Sequence, residues 1–408
     1  MIKKIIISAC LLISFVSFAQ QGTSSPYSFY GIGDTRFKGT LENRSMAGVA
    51  VEQDSIHLNI ENPASYANLG QTTFSVGGTF GTNTIKSSTE SSKAQRSTFD
   101  YLALGIPMGK FGAGFGLIPL SSVGYKITDF NTGANAVNSQ LEGKGGVNRV
   151  FFGLGYKITP KWNIGADLQY NFGKITTTTI EAVNDVQNAT RETNSSELSG
   201  VNFNIGTMYQ TKITKKLNVY TSLSYTFGST LNSVSTRVIE VDGDPDAITA
   251  DPVDTKLKLP NKLTFGAGIG EARKWLVGTT LAFQGTGQLA NYYNASPNVR
   301  YEKYTKYAVG GYYVPNYSSF ASYFNRITYR AGLKYEKLGL IVNNESINDV
   351  GMSLGAGFPI TGTFSNVNVG IEFGKRGTTS AGLVQENYMN FSVGFSFNDR
   401  WFVKSKFN

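Results

Sequence analysis

Phe152-Gly153-Leu154-Gly155-Tyr156-Lys157-Ile158-Thr159-Pro160-Lys161-Trp162-Asn163-Ile164-Gly165-Ala166-Asp167-Leu168-Gln169-Tyr170-Asn171-Phe172 decides the fold class. Apolar residues alternate with small or polar ones on both sides of Thr159-Pro160-Lys161, a turn too short for anything but a hairpin. Successive side chains of a strand point to opposite faces, so each arm carries one apolar face and one small or polar face. An arm of about ten residues is what a tilted strand needs to cross a bilayer.

The same alternation recurs along the chain. It marks Phe74 to Phe80, Leu102 to Ile106, Phe111 to Leu117, Val201 to Ile205, Leu217 to Tyr225, Leu263 to Ile269, Trp275 to Phe283, Ile327 to Leu333, Gly339 to Val342, Val350 to Ala356, Val367 to Phe373 and Phe391 to Phe397. With the opening hairpin this predicts an all-β protein, a transmembrane antiparallel β-barrel of about fourteen strands. Very short connections alternate with long polar ones, the pattern of periplasmic turns and extracellular loops, and it places both termini in the periplasm. Trp162, Trp275 and Trp401 fall at the short-turn rim, the headgroup level that amphipathic rings favour. A soluble β-sandwich is the rival fold, but it lacks this two-class loop pattern.

Composition agrees. The 408 residues include 46 Gly, 22 Tyr and 27 Phe, with 40% hydrophobic and only 16% charged residues. No apolar segment beyond the first twenty residues is long enough for a transmembrane helix, so strands must do any crossing. Met1 to Lys4 is a basic n-region, Ile5 to Phe18 an apolar h-region, and Ser17-Phe18-Ala19 a signal-peptidase site, so residues 1–19 read as a signal peptide with Gln20 as the new N-terminus. Ile7-Ser8-Ala9-Cys10 has the form of a lipobox, but that reading would leave an h-region of three residues. Cleavage removes Cys10, the one cysteine, and lowers the formal charge of +9 by two. The remaining Lys and Arg form no run, so no nucleic-acid partner is expected.

Residues 20–69 do not alternate. They carry Ser24-Ser25-Pro26-Tyr27-Ser28, Arg44 to Ala50 and Asn62-Pro63-Ala64-Ser65-Tyr66, aromatic and small residues suited to packing. This segment is expected to form an N-terminal plug inside the lumen, with 70–408 as the barrel.

Asn62-Pro63-Ala64 before the first strand, the plug and about fourteen strands together resemble the FadL/TodX-type outer-membrane transporters of hydrophobic compounds. The Ser24 to Ser28 start and Asn398-Asp399-Arg400-Trp401-Phe402 resemble a branch of that superfamily whose members are mostly uncharacterised. The resemblance implies passive uptake of a fatty-acid-like or aromatic small molecule, bound in an apolar pocket above the plug and released sideways into the bilayer. It implies Asn62, Pro63, Ala64 and Ser65 as the ligand gate and the third strand as a lateral gate. There Gly112, Gly114 and Gly116 leave one face without side chains and Pro119 lacks a ladder donor, although the same glycines would equally let a plug approach the wall. Some relatives of that branch are barrel subunits of secretion or assembly machines, which is the alternative function. The partners expected are outer-membrane lipid, a hydrophobic small molecule and, on the alternative, other outer-membrane proteins.

Other candidates follow from residue type. The loop Gln284 to Asn325 is rich in tyrosine, and Tyr304, Tyr307, Tyr312 and Tyr313 are candidates for partner contact because tyrosine gives large contact area at low entropic cost. Asp242, Asp244 and Asp246 are a weak metal candidate, since a calcium loop needs Gly and Glu where Ala247 and Val253 stand. His57, the one histidine, lies in the plug without a nucleophile motif. No enzyme chemistry and no cofactor are expected.

Overall fold

The computed structural model describes residues 22–401 apart from 134, 291, 294, 295, 320 and 321. The signal peptide, its cleavage site, Cys10 and Phe402 lie outside the described residues. Fourteen strands form one closed antiparallel ring. They are β1 Thr72–Lys86, β2 Ser91–Met108, β3 Phe111–Asp129, β4 Val137–Thr159, β5 Trp162–Val183, β6 Thr190–Lys212, β7 Leu217–Thr226 with Ser229–Val241, β8 Val253–Leu259 with Lys262–Glu271, β9 Trp275–Gln284, β10 Tyr304–Tyr313, β11 Thr328–Val342, β12 Glu345–Pro359, β13 Asn366–Gly377 and β14 Gln385–Asp399. Closure runs from Asp399 opposite Thr72 to Gln385 opposite Lys86.

The alternation that predicted strands sets their two faces. Phe115, Phe152, Leu168, Phe203, Val277, Leu333 and Phe391 point outward and are exposed, while Arg149, Asp167, Gln169, Asn171 and Asn204 point inward and are buried. An exposed apolar belt around a polar interior suits lipid outside and would be an aggregation surface in water. Among the described residues no helix is long and apolar enough to cross a membrane. This is an outer-membrane type of β-barrel.

Two of the expected strands need correction, although the total holds. Tyr304 to Tyr313 is not loop but β10, and Thr328 to Val342 is one strand, not two. Tyr307-x-Val309-x-Gly311-x-Tyr313 does alternate, but its small residues and its tyrosine-rich surroundings hid the period. With β11 continuous, Asn343-Asn344 becomes a hairpin tip on the long-loop side. Both asparagines have positive φ, 51° and 63°, as the two-residue turn that matches strand twist requires. Much of the expected loop sequence is also strand, since β4 and β6 reach 23 residues, beyond the 9–11 or so that a bilayer needs.

Candidate functional site

Residues 41–69 touch the inward faces of β2 to β6 and β8 to β14, where glycines come within contact of them, so the segment is enclosed by the ring. Its seat is built by Asn62. The side-chain oxygen accepts from the Ala64 N–H at 3.1 Å, capping a short 3-10 turn that Pro63 opens. The same amide donates to the carbonyls of Thr207 on β6 and Leu223 on β7, each at 3.1 Å. Ser65 donates to the Asn59 carbonyl at 2.8 Å.

The wall is glycine where this turn meets it. A Cβ on Gly112 would lie 1.9 Å from the Tyr66 carbonyl oxygen, on Gly114 2.5 Å from the Tyr66 ring, and on Gly206 2.0 Å from the Asn62 side chain. Gly116 instead faces the Leu102 carbonyl and the Phe151 ring. Glycine on β3 thus admits the backbone of the enclosed segment.

β3 has a second property. Its pairing with β2 runs only from Met108 opposite Phe111 to Leu102 opposite Leu117. Beyond that point β2 pairs with β1 and β3 with β4, leaving a seam between them. Pro119 stands where the seam opens, and the β3–β4 register shifts between Pro119 and Ser121. A short strand of the N-terminal segment, Asp34–Thr35, takes the edge instead, opposite Ser122 and Ser121, and the Arg36 N–H donates to the Leu120 carbonyl at 2.9 Å. The interruption can be tested by cysteine pairs in a Cys10→Ser background, since the sequence has no other cysteine. Cysteines at Leu104 and Phe115, a paired position, are expected to oxidise to a disulfide, because opposed residues meet its distance limits. Cysteines at Phe99 and Leu120, which an unbroken ladder would pair, are expected to stay reduced. Equal cross-linking of the two pairs, read by thiol alkylation, would contradict the seam.

Ion pairs pin the segment to the wall. Arg44 meets Asp100 at 2.9 Å. Asp34 meets Arg376 at 2.9 Å, and Arg376 also holds Asp349 through two nitrogens at 3.0 and 3.1 Å. Between segment and wall lies a cavity of about 320 Å³, lined by nine cationic and six acidic side chains. An apolar pocket was expected in the lumen; this cavity is mixed, with Ile32, Leu120, Leu259 and Leu289 among its charged side chains.

At the short-turn end His57 Nδ1 lies 2.6 Å from Asp54, and Tyr312 donates to Glu52 at 2.8 Å. Burial raises the Asp54 carboxyl, but the His57 charge, its hydrogen bond and two backbone N–H groups outweigh this and bring it to about 2. Burial works against the His57 cation, yet Asp54 holds its pKa above the usual value. Burial and then the Asp54 charge push Glu52 up to about 7. A raised histidine contributes stability fully at acid pH and loses it as pH rises through its folded value; ionising Glu52 works in the same direction. Hydrogen-exchange protection factors at residues 52–57, corrected for the intrinsic base catalysis of exchange, are therefore expected to fall as pH rises from mildly acidic past neutrality. His57→Gln should flatten that fall, and an unchanged protection profile in this variant would refute the assignment.

The tyrosine candidates divide by strand face. Tyr304 and Tyr312 point inward, to Glu336 at 3.2 Å and to Glu52. Tyr307 and Tyr313 are exposed on the outer, lipid-facing side of β10. None of the four is in a loop, so the partner-loop expectation is corrected. Asp242 and Asp244 sit in and beside the tip that follows β7, and Asp244 accepts from the Asp246 N–H at 3.0 Å. Among the described residues no group of three or more potential ligands could hold a metal ion. Sequence reading missed the inward charges Arg149, Lys262, Lys334, Glu372 and Arg376, whose signal was a charge in the polar phase of an alternating strand.

A family model described as BamG matches residues 1–408, the whole chain. The chain belongs to the BamG family. No curated protein matches it. Among solved structures, this BamG-family barrel is similar in fold to three outer-membrane proteins. The toluene transporter TbuX of Ralstonia pickettii has a TM-score of 0.58 at 14% identity, covering 88% of this chain and 98% of that one. A FadL homologue of Pseudomonas aeruginosa has a TM-score of 0.61 at 11% identity, covering 90% and 99%. The toluene transporter TodX of Pseudomonas putida has a TM-score of 0.52 at 16% identity, covering 94% and 99%. The expected FadL-type superfamily relationship is thus borne out at the level of fold.

Proposed function

We propose that this chain is a barrel subunit of an outer-membrane protein secretion or assembly complex, and that it holds partners instead of conducting a ligand. The observation that carries this reading is the lumen. The enclosed segment is bonded to the wall by Asn62, Arg44 and Asp34, and the space left over carries fifteen charged side chains beside its apolar ones. A hydrophobic ligand placed there would strip water from ions without replacing their hydrogen bonds, at a cost of several kcal/mol per buried ion. Identity to the hydrocarbon transporters is only 11–16%, so the shared fold does not carry their role over to this chain.

The second reading, passive uptake of a fatty-acid-like or aromatic molecule, is favoured by the seam between β2 and β3. In it Asn62 to Ser65 are the ligand gate, and Gly112, Gly114, Gly116 and Pro119 belong to the lateral gate. On either reading the short-turn end faces the periplasm. Reconstitution into liposomes separates the two. The subunit reading predicts that the isolated chain leaves toluene entry at the rate of empty liposomes; accelerated entry would favour the second reading.

A further inference from the structure

Most acids lining the cavity are consumed. Arg376 takes Asp34, Arg44 takes Asp100, and Lys306 and Lys334 share Glu336 and Glu372. Five lining cations remain. Arg36, Arg96, Arg149 and Lys262 close no salt bridge among the described residues, and Lys38 reaches only to 4.0 Å from Asp167. Against them stand three acids, Glu61, Glu386 and Asp167; Glu386 is already engaged by Ser25 and Asn83, and Asp167 lies beside Lys38.

Arg149 shows the imbalance most clearly. It is 7% exposed, and its Nε donates to Asn171 at 2.8 Å. Its two terminal nitrogens have no acceptor among the described residues. The Lys262 ammonium closes no ion pair among the described residues; it lies 5.6 Å from the centroid of the Tyr304 ring, and Glu61 is the acid that acts on it most. Enclosed cations that outnumber their counter-charges are costly, so an anion is stabilising there. A fork of guanidinium donors with ammonium groups around it matches the oxygens of a phosphate.

Two of these cations stand at the seam. Arg96 is on the stretch of β2 that has lost β3, and Arg36 donates to Ser122 on the facing stretch of β3 at 3.2 Å. The seam is therefore flanked by arginines.

We propose that the lumen cavity is a binding site for a phosphate-bearing anion, and that the seam lets it take a lipid head group whose tails stay in the bilayer. A free phosphate compound entering from the loop end would use the same cations.

The test is native mass spectrometry of the purified full chain in a neutral detergent. The probes are dioctanoyl phosphatidate, dioctanoyl phosphatidylcholine and inorganic phosphate. Retention of one phosphatidate but not of phosphatidylcholine, weakened about tenfold or more by Arg149→Gln or Lys262→Gln, supports the site and assigns it to a lipid. Retention of inorganic phosphate alone, lost in the same variants, supports the site with a free anion as its ligand. Neither anion retained above the phosphatidylcholine control, or both variants binding as well as the parent, would overturn it. Lys262→Gln removes no hydrogen bond or ion pair, so it carries the test if Arg149→Gln fails to assemble.

Discussion

Arg376→Leu is expected to cost about 3–5 kcal/mol, because it removes the ion-pair partner of two enclosed carboxylates. Asp34 and Asp349 both rest on this one guanidinium, and they lie on different elements, the enclosed segment and β12. The loss should appear as a lower temperature for the gel-mobility shift of the folded barrel and as faster proteolysis near residue 34. Asp34→Asn in the Arg376→Leu background should recover part of the stability, since it removes one of the stranded charges. A variant as stable as the parent would mean that solvent already screens these groups.

Gly112→Val comes next. The added Cβ would meet the Tyr66 carbonyl oxygen at 1.9 Å and its carbon at 2.4 Å, backbone atoms held on the far side by Asn62. Overpacking of this kind costs about 1–3 kcal/mol or displaces the intruded segment. Hydrogen exchange should rise at residues 62–67 and stay unchanged on the outer strands. Asn62→Ala alone removes three hydrogen bonds, and in the Gly112→Val background it should cost less than it does alone, because the two changes damage one contact. Additive losses would show that the turn remains seated despite the valine.

Much of the barrel was legible because lipid outside and polar contacts inside impose a period of two that few other folds sustain. Phe152 to Phe172 could hardly be anything else. β10 was misread because Gly310, Gly311 and Ala308 carry too little hydrophobicity to signal a strand, while the tyrosines around them signal a surface. The fragments 327–333 and 339–342 were parted by Lys334, Glu336 and Lys337, charges that a soluble strand would put in a turn. Here Lys334 and Glu336 point into the lumen and pair there. Pairing across the lumen depends on which strands the closed ring brings opposite one another, and this is not written in any local window. For the same reason Asn62 was noticed as a motif while its bonds to Thr207 and Leu223, far along the chain, were not.

The most direct test of the central claim is native mass spectrometry of the chain extracted from its own outer membranes in mild detergent. The account predicts a mass that includes other envelope proteins in a fixed ratio. A bare mature chain carrying one or two hydrophobic small molecules would contradict it and restore hydrophobic uptake as the leading reading.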